Sequence, residues 1–394
     1  MQMKMYKLYA LLLWLLLLVA SCSKNTGPDN PPPPDPKQEV TLEKAVFNDP
    51  AILAKGENAN NIKTEILRYL SSAVKGSLVH INIYLVDDDD IVNAIVNAHN
   101  YGVNVHMLID SSRATSQQQN KQAIEKLRGV LTGTSSLKVV KSDVIINPTS
   151  GSINHHKSML FSEVALKEGI AKNVVFSTSQ NFIKTGVRKV QDAVIFTDKE
   201  LYNAFLSNWN AIADRASSGM KTFAYNVYNA ADGKTTAIFF PRLINGQWDS
   251  KDDIVDILDK ISDHKNATVQ IGMSDWSDSR RPVVDKLAQL HEKGVKIEVI
   301  AKSGIGDFTR AQLQKLADKG AYIKILQMPS QNIHSKFMLI NGTWDGKAQT
   351  VIINGTHNYT PNALRYNNEV ILLLKNSPLF KEYQANYEKI KANF

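Results

Sequence analysis

The feature that most constrains this 394-residue chain is a series of short motifs that occurs twice in the same order. Each copy holds a histidine and a lysine two positions apart, then a hydroxyl residue two positions before an asparagine, then an acid. The paired histidines are 179 positions apart, and the asparagines and the acids are both 177 apart. A repeat of this kind predicts two similar units that supply the same polar side chains twice. The matching segments are "INHHKSMLF" (153–161) with "NIHSKFMLI" (332–340), "VVFSTSQNF" (174–182) with "VIINGTHNY" (351–359), and "VQDAVIF" (190–196) with "NNEVILL" (367–373).

Both units carry the pattern of an α/β fold. Apolar segments of strand length alternate with helical patterns from about residue 45 onward, as expected where helices cover a sheet. A strand, a helix, a glycine and a second strand follow one another in 78–110 and again in 268–301. We therefore predict two similar α/β/α lobes, each a mixed β-sheet flanked by helices, at 45–215 and 216–394.

The N-terminus predicts export. Lys4 and Lys7 precede the uncharged apolar run 8–20, which is shorter than the roughly 20 residues of a spanning helix and typical of a secretory signal. Small residues then lead into Cys22, the only cysteine. This resembles the lipidation site of bacterial lipoproteins and implies a signal peptide over 1–21 and lipidation of Cys22. The proline-rich stretch within 22–44 predicts an extended linker, so we expect an extracytoplasmic, membrane-anchored protein of a bacterium.

Composition limits the partners and the stabilising chemistry. Hydrophobic residues make up 43% and charged residues 21% of the chain, which is typical of a globular protein with a sizeable core. The net charge of +8 favours anionic partners such as phosphates, nucleic acid or lipid head groups. With Cys22 lipidated, no thiol is left for a disulfide or a thiolate metal site. We expect a monomer.

The repeated residue types fit phosphoryl chemistry. Two lysines and two amides around one point would bind a small, dense anion without a metal or a cofactor. Of two histidines there, one can attack phosphorus and the other can act as general acid and base, in an order that the sequence leaves open. The repeated acids are expected to orient the imidazoles, with Glu369 holding His334. The candidate catalytic residues are His155, Lys157, Asn181, Asp192, His334, Lys336, Asn358 and Glu369.

These residues resemble the paired motifs of the phospholipase D superfamily. "TSQN" (178–181) and "GTHN" (355–358) stand where that family has G-S-x-N, and the resemblance covers roughly 60–390. It implies two lobes that meet at a pseudo-two-fold axis, a phosphohistidine intermediate and no metal requirement. It also implies that Ser179 and Thr356 help to bind the phosphoryl group. Ser162 and Asn341 replace the aspartate that the family usually has five positions after each lysine.

Three functions are compatible with these observations. The first is a phospholipase D-type phosphodiesterase that hydrolyses or transfers the head group of a phospholipid or a related phosphodiester. The second is a metal-independent nuclease of the same superfamily, although the basic residues are scattered rather than arranged in a stripe with aromatics. The third is a phosphate-binding protein without activity, which two histidines with two acids disfavour.

Several other residues have structural interpretations. His156 should face the opposite side of its strand from His155 and pack between sheet and helices. The run "DDDD" (87–90) should cap a helix, and "GIG" (304–306) should be a loop. Four aromatics near the motifs are expected in the core rather than in a cleft, namely Phe182, Trp276, Trp344 and Tyr359.

Overall fold

The computed structural model describes residues 38–111, 116–140, 152–216, 225–245, 247–328 and 331–394. The predicted signal peptide, Cys22 and most of the predicted linker lie outside the described residues. Among the helices of the described ranges, none combines the length and the apolar character that a bilayer span needs.

The first lobe is built on a seven-stranded mixed sheet with the order β1-β7-β6-β5-β2-β3-β4. Strands β2, β3 and β4 are parallel neighbours, whereas β5, β6, β7 and β1 are joined antiparallel. The strands are β1 (Glu43–Phe47), β2 (Leu78–Ile83), β3 (Asn104–Asp110), β4 (Ser136–Val140), β5 (Lys157–Leu166), β6 (Gly169–Thr178) and β7 (Asp192–Thr197). Its helices are α1 (Pro50–Ala54), α2 (Asn61–Ser71), α3 (Asp89–Tyr101), α4 (Ser116–Val130) and α5 (Lys199–Arg215).

The second lobe repeats this sheet. Its main path has the order β15-β14-β13-β16-β17-β18-β9-β8, and β12 pairs with β16 beside it. The strands are β8 (Asn226–Asn229), β9 (Thr235–Phe239), β12 (Ile261–Ser262), β13 (Thr268–Met273), β14 (Lys296–Lys302), β15 (Tyr322–Leu326), β16 (Lys336–Trp344), β17 (Lys347–Gly355) and β18 (Val370–Lys375), and a separate hairpin holds β10 (Leu243–Ile244) and β11 (Gln247–Trp248). The helices are α6 (Asp253–Asp259), α7 (Arg281–Glu292), α8 (Asp307–Asp318) and α9 (Leu379–Asn393).

Each of the seven strands of the first sheet has a counterpart in the second, which also contains β8 and β12. The strand order across the first sheet, from β1 to β4, matches the order from β9 to β15 in the second sheet. Equivalent neighbours are parallel or antiparallel in the same way. The predicted fold class, two similar α/β/α lobes related by a pseudo-two-fold, is confirmed.

The core consists of one apolar cluster outside each sheet, one between the lobes, and a smaller one where α5 packs on β3 and β4. Strand alternation makes this division, because successive side chains point to opposite faces. In β5, Met159 and Phe161 pack under the outer helices of the first lobe, whereas Leu160 joins the central cluster. In β16, Met338 likewise faces outward and Phe337 inward. Helices α5 and α9 contribute to the central cluster, which joins the two lobes.

The acidic run 87–90 caps a helix, as predicted. The Asp88 carboxylate accepts hydrogen bonds from the N–H groups of Asp90 and Ile91 at the start of α3. Lys63 pairs with Asp88 at 2.8 Å and with Asp90 at 2.7 Å. This pattern satisfies free backbone donors at the helix N-terminus. Residues 304–306 form a loop before α8, also as predicted.

Candidate active site

The two H-x-K segments occupy equivalent places at the ends of the two central strands. Lys157 is the first residue of β5 and pairs with Ile83 at the end of β2. Lys336 is the first residue of β16 and pairs with Met273 at the end of β13. The apolar strands therefore fix both lysines at the same edge of their sheets.

The main chain of each histidine is bound to the other lobe. The His155 N–H donates to the Asn368 carbonyl at 2.9 Å. The N–H groups of His334 and Ser335 both donate to the Val190 carbonyl, at 2.8 and 3.0 Å. These bonds join each H-x-K segment to the segment that carries the opposite lobe's acid. The sequence motifs alone do not indicate these contacts between the lobes.

Glu369 contacts His155, not His334. The His155 Nδ1 lies 2.8 Å from one carboxylate oxygen of Glu369 and 2.9 Å from the other. Thr356 and Asn367 also donate to this carboxylate, at 2.6 and 3.0 Å. The prediction that Glu369 holds His334 is therefore wrong, because Glu369 reaches across the interface to the histidine of the first lobe. Burial lowers the pKa of His155, and the charge of Glu369 opposes this effect.

His334 is held by neutral acceptors. Its Nδ1 lies 3.0 Å from the Ser179 carbonyl and 2.9 Å from Gln191 Oε1. The Gln191 amide nitrogen donates to the Gly186 carbonyl at 2.7 Å, which orients Oε1 toward the ring. A carbonyl only accepts, so Nδ1 carries the hydrogen and Nε2 keeps its lone pair.

The charges around His334 keep its ring neutral. Burial, then Lys336, Lys189, Lys157 and His155, lower the pKa of His334 well below its ordinary value. Lys336 Nζ lies 3.3 Å from Nδ1, and in this tautomer that contact is not a hydrogen bond. A neutral imidazole with a free Nε2 can act as a nucleophile.

Asp192 does not contact His334. Its Oδ2 accepts a hydrogen bond from the Tyr383 hydroxyl on α9 at 2.9 Å. Asp192 is 1% exposed, and burial raises its pKa against the effects of Tyr383, of the Ser179 and Ser335 side chains and of Lys336. The prediction that Asp192 orients an imidazole is wrong for this structure, because Tyr383 holds its carboxylate. Nothing in the repeated motifs indicated Tyr383.

Both lysines are fully buried and turn back onto their own segments. Lys157 Nζ donates to the His155 carbonyl at 2.7 Å, and Lys336 Nζ to the His334 carbonyl at 2.6 Å. Burial lowers the pKa of Lys157 well below its ordinary value and that of Lys336 to about 7. Two buried amino groups are thus available to an anion, and a bound phosphate would stabilise their charged forms against the effect of burial.

The asparagines come two positions after Ser179 and Thr356. Asn181 is 5% exposed and Asn358 is half-buried, and the Oδ1 atom of each is buried without a hydrogen-bond partner among the described residues. Each asparagine thus keeps a buried side-chain oxygen without a hydrogen bond to the described residues. Their assignment as phosphoryl-binding residues stays a prediction.

The hydroxyls beside the asparagines bind the acid-bearing segments. The Thr356 hydroxyl donates to Glu369, and the Ser179 hydroxyl donates to the Asp192 carbonyl at 3.2 Å and accepts from the Asp192 N–H at 3.0 Å. Both side chains are buried, at 0% and 1% exposure. Both hydroxyls thus hold the acid-bearing segments, and their role in binding the phosphoryl group stays a prediction.

The first position of the two asparagine motifs differs for a steric reason. Gly355 has φ +148°, and a Cβ there would collide with the Val370 carbonyl. Thr178 takes the equivalent place, and its hydroxyl donates to the Asp192 carbonyl at 2.9 Å. The backbone thus requires glycine in the second lobe, where the first lobe has room for a side chain.

Ser162 and Asn341, which stand where the family usually has an aspartate, lie away from the site. Five residues of strand separate each from its lysine, about 16 Å at 3.3 Å per residue. The Ser162 hydroxyl accepts from the Leu78 N–H at 2.9 Å, and Asn341 is exposed in the middle of β16. Neither replacement touches the catalytic candidates.

The remaining predictions concern packing. His156 is 1% exposed, neither ring nitrogen has a partner among the described residues, and burial lowers its pKa to about 3. It therefore packs as predicted. Phe182, Trp276, Trp344 and Tyr359 are each at most 2% exposed, which confirms them as core residues.

Sequence reasoning missed Tyr84. It follows β2, and its ring centroid lies 5.2 Å from that of His155 and 5.5 Å from Lys157 Nζ. Its place after a buried strand, at the edge that carries the H-x-K segments, was the available signal.

The fold and this site define a two-lobed protein of the phospholipase D type. Residues 66–215 and 257–391, well over half of the chain, match the family described as "Cardiolipin synthase, PLD-like domain". The chain therefore belongs to this family.

Curated relatives and solved structures agree with the family. The chain is 24% identical to the mitochondrial cardiolipin hydrolase of Chlamydomonas reinhardtii over 108 residues, 27% of this chain and 45% of that protein. It is 29% identical to the mitochondrial cardiolipin hydrolase of Xenopus tropicalis over 101 residues, 26% of this chain and 44% of that protein. The matched segment thus spans slightly less than half the length of each.

Two solved structures share the fold. The phosphatidylserine synthase of Haemophilus influenzae Rd KW20 superimposes with a TM-score of 0.62 at 14% identity, over 90% of this chain and 88% of that one. The polyphosphate kinase of Porphyromonas gingivalis gives 0.54 at 10% identity, over 88% and 50%. Both likenesses concern the fold alone.

Proposed function

We propose that this protein is a phospholipase D-type phosphodiesterase that hydrolyses, or transfers to an alcohol, the head group of a phospholipid or a related phosphodiester. The observation that carries the proposal is the pair of buried histidines, each with Nδ1 bonded to an acceptor and each beside a buried lysine. The curated relatives named as cardiolipin hydrolases support a lipid phosphodiester as substrate.

In the proposed reaction the two histidines have different roles. His334 Nε2 attacks phosphorus, because its ring is neutral and its Nδ1–H is bound to carbonyl oxygens. His155 protonates the leaving oxygen, because the adjacent Glu369 carboxylate stabilises the imidazolium. The phosphorus–oxygen bond to the leaving alcohol breaks as the bond to His334 forms. Water, activated by His155, then releases the phosphoryl group from His334.

The proposed location is extracytoplasmic, in the periplasm or at the outer membrane of a bacterium, with the protein anchored through lipidated Cys22. The charge-free apolar run, the small residues before Cys22 and the absence of any other cysteine in the sequence support it. Such an anchor would place the site beside phospholipid substrates. Incorporation of labelled fatty acid into the wild-type chain but not into Cys22→Ala would test it.

The substrate class can be tested with two assays. Head-group release from vesicles of phosphatidylcholine, phosphatidylethanolamine or cardiolipin is compared with cleavage of single-stranded DNA, in the presence of EDTA. We expect head-group release and no comparable DNA cleavage. Cleavage of DNA alone would favour the nuclease, and loss of all activity with EDTA would contradict the metal-free mechanism.

A further inference from the structure

The carboxylates of Asp192 and Glu369 have different hydrogen-bond partners, and the difference involves one position in the last helix of each lobe. Helices α5 and α9 carry the same pattern, "LYNAFLSNWNAI" (201–212) and "LFKEYQANYEKI" (379–390). Both occur at equivalent places after β7 and β18. In this alignment Phe205 of α5 corresponds to Tyr383 of α9. The first lobe therefore lacks a hydroxyl where the second lobe has one.

Tyr383 is held rigidly. It is fully buried, and its ring meets Phe47 edge-on at 4.9 Å and Phe337 at 5.4 Å between centroids. Its hydroxyl accepts from Asn354 Nδ2 at 2.8 Å and therefore donates to Asp192 Oδ2 at 2.9 Å. Because the Tyr383 ring is packed on two sides and its hydroxyl makes two hydrogen bonds, the Asp192 carboxylate has little freedom to turn away from Tyr383.

The two histidines differ accordingly in the acceptors that their Nδ1 atoms contact. Glu369, equivalent to Asp192, crosses the interface to His155. Under the pseudo-two-fold, Asp192 would cross to His334, but His334 is bonded to Gln191 and to the Ser179 carbonyl instead. The charged and titratable groups that act on His334 are His155, Lys157, Lys189 and Lys336. With Asp192 held by Tyr383, no acid partners His334 among the described residues.

We propose that Tyr383 is a positioning residue of the site: its hydroxyl holds the Asp192 carboxylate away from His334 and so makes the two histidines unequal. One histidine then has a carboxylate partner suited to proton transfer, and the other stays neutral for attack. The consequence for the reaction rests on the proposed function, whereas the consequence for the His334 ring does not.

Exchanging Asp192 and Tyr383 for their counterparts in the opposite lobe tests this inference. Asp192→Glu supplies a carboxylate as long as Glu369, and Tyr383→Phe reproduces Phe205. In the double variant we expect the carboxylate to reach His334 and raise its pKa by at least about one pH unit, as an opposite charge within 4–6 Å does. Asp192→Glu alone should leave the His334 titration unchanged, because Tyr383 still holds the acid.

The readout is the titration of the His334 ring by NMR with labelled histidine, together with the pH profile of kcat/KM. The matched control is Tyr387→Phe combined with Asp192→Glu. Tyr387 is a buried tyrosine one turn further along α9, and its hydroxyl has no hydrogen-bond partner among the described residues. A purely structural role of Tyr383 would lower the melting temperature without moving either readout.

Two results would overturn the inference: an unchanged His334 titration in the double variant, or an equal rise in Asp192→Glu alone or in the Tyr387 control. If the double variant does not fold, Asp192→Asn tests the inference instead. Removing a carboxylate that Tyr383 holds away from His334 should have little effect on the pKa of His334. A fall in the His334 pKa by more than about half a pH unit there would contradict the proposal. A shifted ring titration in a protein without phosphodiesterase activity would uphold the inference and refute the proposed function.

Discussion

His155 and His334 occupy equivalent positions in the two lobes, yet their Nδ1 atoms have different acceptors. His155 donates to the Glu369 carboxylate at 2.8 Å, and His334 donates to Gln191 and a backbone carbonyl at 2.9 and 3.0 Å. A carboxylate stabilises the charged ring, whereas a neutral acceptor fixes only its tautomer and orientation. A duplicated motif has thus produced two chemically distinct groups within one site.

Removing one histidine at a time should have the largest effect and separates the two roles. With a p-nitrophenyl phosphodiester, His334→Ala should give no burst and lose at least about 100-fold in turnover. His155→Ala should still give a burst of p-nitrophenolate, because this leaving group does not need a proton, and then stall at the phosphoenzyme. The measurement is rapid-quench kinetics, with phosphohistidine detected in the stalled protein. A burst in His334→Ala but not in His155→Ala would reverse the assignment.

Giving both histidines a carboxylate should have the next largest effect. Gln191→Glu places a carboxylate at the Nδ1 of His334 and should raise its pKa by about one to three pH units. The acid limb of the kcat/KM profile should move upward accordingly, since the protonated ring cannot attack. Gln180→Glu is the control, because Gln180 contacts Asn48 and Gln191 rather than the histidine. An acid limb that stays at its wild-type pH in Gln191→Glu would show that His334 is not the nucleophile.

The buried lysines predict how stability depends on pH. The pKa of Lys336 is about 7 in the folded protein against 10.5 for an ordinary lysine. Between these values the unfolded chain binds the extra proton, so the free energy of unfolding should rise with pH from about 7 to about 10, by up to about 1.4 kcal/mol per pH unit for one group. Lys336→Met should flatten this rise in urea denaturation series. Lys347→Met, at an exposed position, should retain it.

Restoring the aspartate that the family usually carries should have the smallest effect. Asn341 is exposed in the middle of β16, about 16 Å along the strand from Lys336. Asn341→Asp should therefore change kcat/KM by less than about twofold and the free energy of unfolding by no more than about 0.5 kcal/mol. A tenfold gain in kcat/KM would mean that this position supports the site across the sheet.

Much of the fold was predictable because its signals are local. Apolar segments such as that of β16 and the carboxylate cap of α3 follow from neighbouring residues and from strand and helix periodicity. The duplication added long-range information, because a repeated order of motifs predicts two lobes with the same topology. Phe182 and Trp276, which follow β6 and β13, are buried, as predicted for aromatics near the motifs.

The sequence by itself determined which residue types the site contains: two histidines, two lysines, two asparagines and two acids at the ends of equivalent strands. Tertiary structure decided which acid contacts which histidine, because Glu369 reaches His155 only where the two lobes meet. It also decided that Asp192 binds Tyr383, a residue of a distant helix. Such contacts join side chains far apart in the chain, and only the packing between the lobes brings them together.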